Sequence, residues 1–240
     1  YLSPFYGVSV VSDRKSQELP KALLEMDIPH YAYHDRAILF LPELIYHILA
    51  KNIDLVYGNN LSGRTRVAFW AARITRRPFI WHIRESLKKD DKRGKEVHLA
   101  NAVIANSIDT ARRLIEFAGV KIPVVISNGL EFEAYQVNKD LCRNQLIKLL
   151  GCSSDSIFVI NMGRVCSQKN QIEAIQVGLN ILKKYPQTHF LFLGALQDSV
   201  YVNQICQKIN TSEYQDNFHI LGHIKDFIPY LLGSDILFHT

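Results

Sequence analysis

Short apolar runs alternate with amphipathic helical patterns along almost the whole chain. In the first half, residues 53–57 and 79–81 are apolar runs, and residues 64–76 between them carry a helical pattern. The second half repeats the alternation, beginning with the run at 157–162 and the helical pattern at 171–184. Alternation of this kind is typical of a parallel sheet covered by helices on both faces. The sequence therefore predicts an α/β fold with doubly wound parallel sheets.

The alternation is interrupted near the middle of the chain. Residues 127–131 read Ser-Asn-Gly-Leu-Glu, which favours a turn, and the polar-faced helical pattern at 140–150 has no strand before it. We therefore predict an N-terminal domain over 1–127, a linker over 128–155 and a C-terminal domain over 156–240. Two such domains in tandem would create a cleft between their strand ends, where ligands collect on parallel sheets.

The loop after the apolar run at 157–162 reads Gly-Arg-Val-Cys-Ser-Gln-Lys-Asn and carries two cations. Arg164 and Lys169 flank the first turn of the next helix, where unpaired backbone N–H groups and the helix dipole are already positive. Cations do not stabilise a helix there, but they fit an anion such as a phosphate group held between them. The simpler interpretation is that both are solvated loop residues, and the loop alone leaves the two open.

Polar side chains also follow the apolar runs of the first half. Asn59 and Asn60 follow one run, and His82, Arg84 and Glu85 follow the next. Because the carboxyl ends of neighbouring parallel strands share an edge, we expect these five side chains on one rim. An imidazole exchanges protons near neutral pH, so His82 is a candidate acid, base or orienting group. A lone histidine is also common as a structural hydrogen-bonding residue, and that alternative stays open.

Composition narrows the class of protein. The chain of 240 residues is 48% apolar, and it has no uninterrupted apolar run long enough to span a bilayer. Its four cysteines are spaced singly, which argues against a zinc site or a disulfide framework and favours a cytoplasmic location. The sequence starts with neither an initiator Met nor a signal-peptide pattern, so we expect it to begin inside a longer protein.

The net charge of +5 is concentrated in the first half. Residues 1–127 contain 19 Lys and Arg against 13 Asp and Glu, whereas residues 128–240 contain 9 against 10. Basic clusters suit nucleic acid, an anionic membrane surface or an acidic acceptor, but they also occur on solvated faces. Nucleic acid is disfavoured, because no aromatic stacking platform is interleaved with the clusters. The clusters comprise Arg73, Arg76, Arg77, Lys88, Lys89, Lys92, Arg93 and Lys95.

Several segments together resemble glycosyltransferase family 4, and they are spread over nearly the whole chain. The family pattern of Gly-Arg, a short spacer and Lys is matched by Gly163, Arg164 and Lys169, with Asn170 where the family often has Gly. The other similar segments lie at 78–85, 101–107, 122–131, 190–194, 218–224 and 231–240.

The resemblance implies a GT-B fold, in which two Rossmann-like domains face each other across a cleft. It also implies transfer of a sugar from a UDP- or GDP-linked donor to an acceptor hydroxyl, with retention of configuration and without a metal or cofactor. Arg164 and Lys169 would then hold the leaving diphosphate, and His82 would lie near the transferred sugar. The implied donor-side set also contains Gly163, Gly194, Gly222, His223 and Ile224, and the acceptor-side set is Asn59, Arg84 and Glu85.

Family habit suggests a saccharide or lipid-linked saccharide acceptor, in bacterial surface polysaccharide or glycolipid synthesis at the inner face of the membrane. Two departures from the family pattern concern the ends of the sequence. The first strand of the N-terminal domain and the closing paired-glutamate stretch are both missing. We therefore expect both domains to be incomplete, and residues 1–240 alone to show weak or no turnover.

Three other functions are weighed against a transferase. A sugar-nucleotide epimerase of the same fold would use similar phosphate contacts without an acceptor site. A non-catalytic nucleotide-binding module would need only the donor-side residues. A dinucleotide-dependent oxidoreductase is disfavoured, because no Gly-x-Gly-x-x-Gly follows a predicted strand.

Overall fold

The computed structural model describes residues 6–13, 19–34, 36–130 and 132–239. The chain forms two compact units, Tyr1–Gly129 and Leu130–Thr240. In both units, helices alternate with strands that pair in parallel. None of the helices within the described ranges is long and apolar enough to cross a bilayer.

The first unit contains two parallel sheets. Strands β3 to β6 form a four-stranded sheet in chain order, and β1 pairs with β2 in a separate two-stranded sheet. Two 3-10 turns, Lys92–Gly94 and Val97–Leu99, lie between β4 and β5. The elements are β1 (Val10–Asp13), α1 (Leu19–Glu25), β2 (His30–Tyr33), α2 (Ala37–Ala50), β3 (Val56–Asn59), α3 (Gly63–Ile74), β4 (Phe79–Ile83), β5 (Ala102–Ala105), α4 (Ile108–Ala118) and β6 (Val124–Val125).

An aromatic cluster occupies the core of the first unit. The ring of Phe69 in α3 contacts Phe79 and Trp81 of β4 at centroid distances of 5.5 and 5.6 Å, and all three side chains are fully buried. The indole N–H of Trp81 donates to the backbone oxygen of Asn60, 2.8 Å away. A buried indole requires such an acceptor. The cluster therefore holds the loop after β3 against β4.

The sequence predicts that Ser62 caps the helix at 64–76, that Ser107 caps a helix over 108–118 and that Gly119 ends it. The Ser62 hydroxyl accepts a hydrogen bond from the backbone N–H of Thr65 at the start of α3, and Ser107 accepts one from Thr110 at the start of α4. Gly119 ends α4 in the left-handed conformation, with φ of 67°. These three predictions are confirmed, and each depends on residues within five positions of one another in the sequence.

Helix α2 begins earlier than predicted. The apolar pattern of the sequence predicts an amphipathic helix from Pro42 to Lys51. Proline lacks the N–H that an interior helical residue donates. The helix instead begins at Ala37 and runs through Pro42. Phe40, Leu44 and Ile48 of α2 are 5%, 4% and 1% exposed and form one apolar stripe. Burial of that stripe offsets the missing backbone hydrogen bond.

The second unit contains a doubly wound sheet. Its strand order is β10-β7-β8-β9, so the direction of winding reverses at β7. Phe190 and Phe192 of β8 pack on one face of the sheet, and Leu191 and Leu193 pack on the other. The elements are α5 (Lys139–Leu150), β7 (Ile157–Met162), α6 (Gln171–Leu182), β8 (Thr188–Leu193), α7 (Ser199–Asn210), β9 (Phe218–Gly222), α8 (Ile228–Gly233) and β10 (Ile236–Leu237).

Helix α5 is held within the second unit by an ion pair. Arg143 of α5 lies 2.9 Å from the Asp235 carboxylate and also donates to the backbone oxygen of Ser156. The sequence suggested a linker over 128–155, whereas the boundary between the compact units falls after residue 129. The contacts of Arg143 explain why α5 belongs to the second unit.

Candidate functional site

Three glycines lie at the carboxyl ends of three adjacent strands in the second unit. Gly163 follows β7, Gly194 follows β8 and Gly222 ends β9. The Gly163 N–H donates to the Leu193 carbonyl, and the Gly194 N–H donates to the Gly222 carbonyl, both at 2.8 Å. We call these three residues the glycine rim. An added Cβ would meet no atom of the described residues within 4 Å at Gly222, whereas at Gly163 it would meet the aliphatic stem of Lys169.

Gly194 is required by its surroundings. A Cβ at this position would lie 1.9 Å from the Gly163 carbonyl oxygen and 3.0 Å from the Arg164 nitrogen. Its φ of 153° is also a conformation that residues with a side chain rarely adopt. The loops after β7 and β8 can therefore approach each other only because residue 194 is glycine.

The loop after β7 is held by several hydrogen bonds. Val165 forms a parallel bridge with Leu196 of the loop after β8. The Arg164 guanidinium donates to the Gln197 side-chain oxygen at 2.7 Å, and its backbone carbonyl accepts from the Gln171 amide at 3.0 Å. Gln171, the first residue of α6, is 1% exposed. The buried amide thus fixes the backbone of Arg164, whose side chain is exposed.

Lys169 lies beside the glycine rim at the start of α6. A Cβ at Gly163 would lie 3.6 Å from the Lys169 Cε, so the aliphatic stem of the lysine passes over this glycine. Asn170, the N-cap, has φ of 47°, and its side chain makes no capping hydrogen bond. Its amide donates to the Glu173 carboxylate in the first turn of the helix. The local charge is therefore two cations and one carboxylate around a positive helix end, which fits a polyanion.

The donor-side prediction extends past β9. Gly222 has φ of 70°, and His223 after it is exposed. Ile224 is half-buried and packs against the apolar cluster that contains Leu191. The roles of His223 and Ile224 in binding stay predictions, and for Ile224 the side chain has a packing role of its own.

His82 and Tyr57 form a hydrogen-bonded pair in the first unit. His82 is the penultimate residue of β4, one strand across from Asn59, with which it is in register. The Tyr57 hydroxyl is hydrogen-bonded to His82 Nδ1, whereas His82 Nε2 is buried and has no partner among the described residues. Burial lowers the pKa of His82, and the charge of the nearby Arg84 lowers it further. The imidazole is therefore neutral at physiological pH.

Backbone contacts join the ends of β3 and β4. Asn60, with φ of 65°, donates its N–H to the His82 carbonyl at 2.8 Å, and its side-chain oxygen accepts from the Arg84 N–H at 3.1 Å. The Asn59 carbonyl accepts from the Thr65 hydroxyl at 3.0 Å. The predicted residues Asn59, His82 and Arg84 thus come together on one rim.

Glu85 has a structural role that the sequence did not indicate. One carboxylate oxygen accepts from the Leu61 N–H at 2.9 Å, and the other lies 2.8 Å from the Arg93 guanidinium. Arg93 also pairs with Asp91, and this hydrogen bond lowers the pKa of Asp91. Both oxygens of Glu85 are therefore engaged within the unit, and its contact with an acceptor stays a prediction.

Three residues near these sites were missed in the sequence: Tyr57, Gln171 and Gln197. Tyr57 is 25 positions from its partner His82, and only the register of β3 with β4 brings the two together. Gln197 likewise reaches Arg164 across the ends of two strands. Nothing in the local sequence pattern indicates that Gln171, the first residue of α6, is buried. Among the described residues, no cluster of three or more His, Cys, Asp or Glu is arranged to hold a metal ion.

The chain is similar to glycosyltransferases and to sugar-nucleotide epimerases among known proteins. No protein-family model matches the sequence. Over 81 residues, the chain is 32% identical to an uncharacterized glycosyltransferase of Methanocaldococcus jannaschii, a match that covers 34% of this chain and 19% of the relative.

Solved structures match over more of the chain at lower identity. HepE of Anabaena, in complex with UDP and glucose, is 21% identical, with a TM-score of 0.78 over 92% of this chain and 63% of that one. A glycosyltransferase of Rickettsia africae is 17% identical, with a TM-score of 0.81 over 97% and 65%. A UDP-GlcNAc 2-epimerase of Neisseria meningitidis, bound to UDP-GlcNAc, is 16% identical, with a TM-score of 0.60 over 95% and 68%.

The chain spans slightly less than two thirds of the length of the first two solved proteins. The fold class predicted from the sequence is confirmed. It is α/β with parallel sheets in two Rossmann-like units, as in GT-B glycosyltransferases.

Proposed function

We propose that the protein is a glycosyltransferase that moves a sugar from a nucleotide diphosphate sugar to an acceptor hydroxyl. The observation that carries the proposal is the glycine rim with Arg164 and Lys169 beside it. The glycine rim includes the end of β7, the strand at which the winding of the sheet reverses. Ligands of doubly wound sheets bind at such points. The proposal is supported by matching structures that contain UDP or UDP-GlcNAc.

The chemistry explains why cations are needed at this rim. When the bond between the anomeric carbon and the donor oxygen breaks, negative charge grows on the leaving diphosphate. Arg164, Lys169 and the N-terminus of α6 would stabilise that charge. His82 would orient or polarise the reacting groups, with Asn59 and Arg84 on the acceptor side. We also propose retention of configuration, which NMR of the first-formed anomer would test.

Loss of both cations tests the donor site. Arg164→Ala with Lys169→Ala should weaken binding of UDP or GDP, measured by isothermal titration calorimetry, by at least about 100-fold. Each charge-assisted contact is worth about 1.5–3 kcal/mol, and 1.4 kcal/mol is tenfold in affinity.

The matched control removes two exposed cations from the opposite end of α6. Lys183→Ala with Lys184→Ala makes the same change in net charge, and binding should stay within about threefold of the wild type. Circular dichroism should show both double variants folded. Equal affinity of the wild type and the Arg164 and Lys169 variant would contradict the proposal.

An epimerase is the second candidate, because the Neisseria structure shares the fold. An epimerase converts the sugar nucleotide without an acceptor, whereas a transferase releases free nucleoside diphosphate only as the sugar moves. Chromatography of the sugar nucleotide incubated with and without acceptor separates the two activities.

A non-catalytic binding module is tested at His82. For a transferase, His82→Ala should abolish transfer and leave the affinity for UDP or GDP unchanged. Normal transfer by His82→Ala would refute a catalytic role of this residue.

We further propose a saccharide or lipid-linked saccharide acceptor and contact with an anionic membrane surface. Arg93 is paired with Asp91 and Glu85, so the exposed Arg73 and Arg76 at the end of α3 are the better candidates for that contact. Replacing Arg73 and Arg76 with Ala should reduce co-sedimentation with phosphatidylglycerol vesicles, and phosphatidylcholine vesicles serve as the control.

A further inference from the structure

Tyr57 contacts the imidazole of His82 and holds its orientation. Its hydroxyl bonds to Nδ1, and the two rings meet edge to face with centroids 5.9 Å apart and an angle of 81° between planes. The Tyr57 side chain is 51% exposed, so its position is not explained by burial in the core. The His82 backbone is itself fixed by the hydrogen bond from Asn60. Ring orientation and backbone position of His82 are thus both determined.

The hydrogen bond also determines which nitrogen of His82 carries the proton. Burial lowers the pKa of His82 and raises the pKa of Tyr57, so both groups are neutral near pH 7. Between a neutral phenol and a neutral imidazole, the phenol O–H is the better donor and the unprotonated ring nitrogen is the better acceptor. Tyr57 therefore donates to Nδ1, and the remaining proton lies on Nε2.

We propose that Tyr57 is a positioning residue that holds His82 in the Nε2–H form, so that His82 acts as a hydrogen-bond donor and not as a general base. A base would need an unprotonated Nε2. His82 Nε2 is buried without an acceptor among the described residues, and an unpaired buried N–H is unfavourable. A substrate oxygen that accepts from this N–H would recover that cost, since it supplies the missing partner.

The wild-type chain gives the first test. Two-bond proton–nitrogen NMR spectra of the ¹⁵N-labelled chain at pH 8 distinguish the two tautomers of a neutral imidazole, and His82→Gln identifies the resonances. We expect Nδ1 to be the unprotonated nitrogen. A proton on Nδ1 would overturn the proposal, because Tyr57 would then be the acceptor and Nε2 would be free to act as a base.

Tyr57→Phe gives the second test, because it removes one hydroxyl and keeps the ring. The two His82 nitrogen resonances should move toward each other, as they do when tautomers mix. Unchanged resonances in a folded variant would overturn the proposal. If amide spectra show that the variant is unfolded, the proposal is tested by the tautomer measured in the wild type alone.

A second tyrosine–histidine pair in the same unit is the matched control. The Tyr33 hydroxyl is 2.8 Å from His47 Nδ1, and His47 Nε2 also lacks a partner among the described residues. Tyr33→Phe should therefore shift the resonances of His47 and leave those of His82 in place. A shift of His82 in this variant would show a general effect of losing a hydroxyl, and would count against the proposal.

The kinetic test rests on the proposed function. Tyr57→Phe should lower the transfer rate at saturating substrates about tenfold and leave the KM for the donor unchanged, whereas Tyr33→Phe should change neither. An unchanged rate in Tyr57→Phe would overturn the positioning role. If the wild type neither catalyses transfer nor binds UDP or GDP, the proposed function fails, while the NMR experiments still test the pairing of Tyr57 with His82.

Discussion

Substitution of Gly194 by alanine should destabilise the second unit more than other glycine substitutions there. The added Cβ would lie 1.9 Å from a carbonyl oxygen and 2.4 Å from the carbonyl carbon of Gly163. These are backbone atoms of a hydrogen-bonded loop, so they cannot swing away as the end of a long side chain would. One of the two loops has to move, and with it the hydrogen bond between the Gly163 N–H and Leu193.

The size of the effect follows from two contributions. A residue other than glycine at φ of 153° costs about 1–3 kcal/mol in backbone strain. Overpacking at a site without free space costs about 1–3 kcal/mol more. The sum is about 2–6 kcal/mol, a large part of the stability of about 5–15 kcal/mol that is typical of a domain.

Gly151→Ala is the matched control in the same unit. Gly151 ends α5 with φ of 63°, and a Cβ added there would meet no atom of the described residues within 4 Å. The control therefore carries the backbone cost of about 1–2 kcal/mol without the steric cost. The difference between the two variants measures the close approach of the loops after β7 and β8.

Urea unfolding, followed by two spectroscopic signals, measures the difference in stability between the Gly194→Ala and Gly151→Ala variants. Trp70 and Trp81 are the two tryptophans of the chain and both lie in the first unit, so fluorescence follows that unit. Far-UV circular dichroism follows both units. Gly194→Ala should shift the dichroism transition and leave the fluorescence transition in place. Equal stability of the Gly194→Ala and Gly151→Ala variants would refute the close approach, and with it the geometry of the glycine rim.

Three further predictions concern stability. Asp235→Ala should cost the second unit about 1–3 kcal/mol in urea unfolding, because Arg143 and a strand N–H lose their acceptor; a smaller loss would mean that the ion pair is solvated. Burial lowers the pKa of His219 to about 4, whereas the unfolded chain binds that proton near pH 6.5, so stability of this unit should fall from pH 6.5 toward pH 4. A pH-independent urea midpoint would exclude this linkage, and His219→Gln should flatten the dependence. Ser107→Ala should lower the free energy of unfolding of the first unit by about 1 kcal/mol, which moves the fluorescence transition to lower urea concentration. An unchanged transition would show that the cap is dispensable.

The sequence predicted those features of the fold that depend on neighbours in the chain. The helix starts at Ser62 and Ser107 and the helix end at Gly119 follow from hydrogen bonds between residues three to five positions apart. The start of α2 was wrong, because the local preference of Pro42 was outweighed by burial of a stripe made with distant parts of the unit. Local chemistry is readable in a single sequence, whereas packing between elements is not.

The same distinction holds for the candidate site. The cations Arg164 and Lys169 were found because they flank a glycine and a helix start in one short loop. Tyr57 was missed because its relation to His82 arises from strand register and is absent from the order of residues. For Glu85, the position on the rim was predicted, but its pairing with Arg93 depends on the folded turn between β4 and β5.

The glycine rim of the second unit and the rim of the first unit that carries His82 should differ in what their substitutions affect. At the glycine rim, a ligand would meet the cations Arg164 and Lys169 and the N-terminus of α6, which suit the diphosphate that all nucleoside diphosphates share. Changes at Gly194 or Arg164 should therefore lower the affinity for any nucleoside diphosphate in similar proportion. At the rim of the first unit, the chemistry lies in the side chains of Tyr57 and His82, whose hydrogen bond sets one tautomer. Changes there should lower transfer and spare donor affinity, because a tautomer matters only to the group that shares its proton.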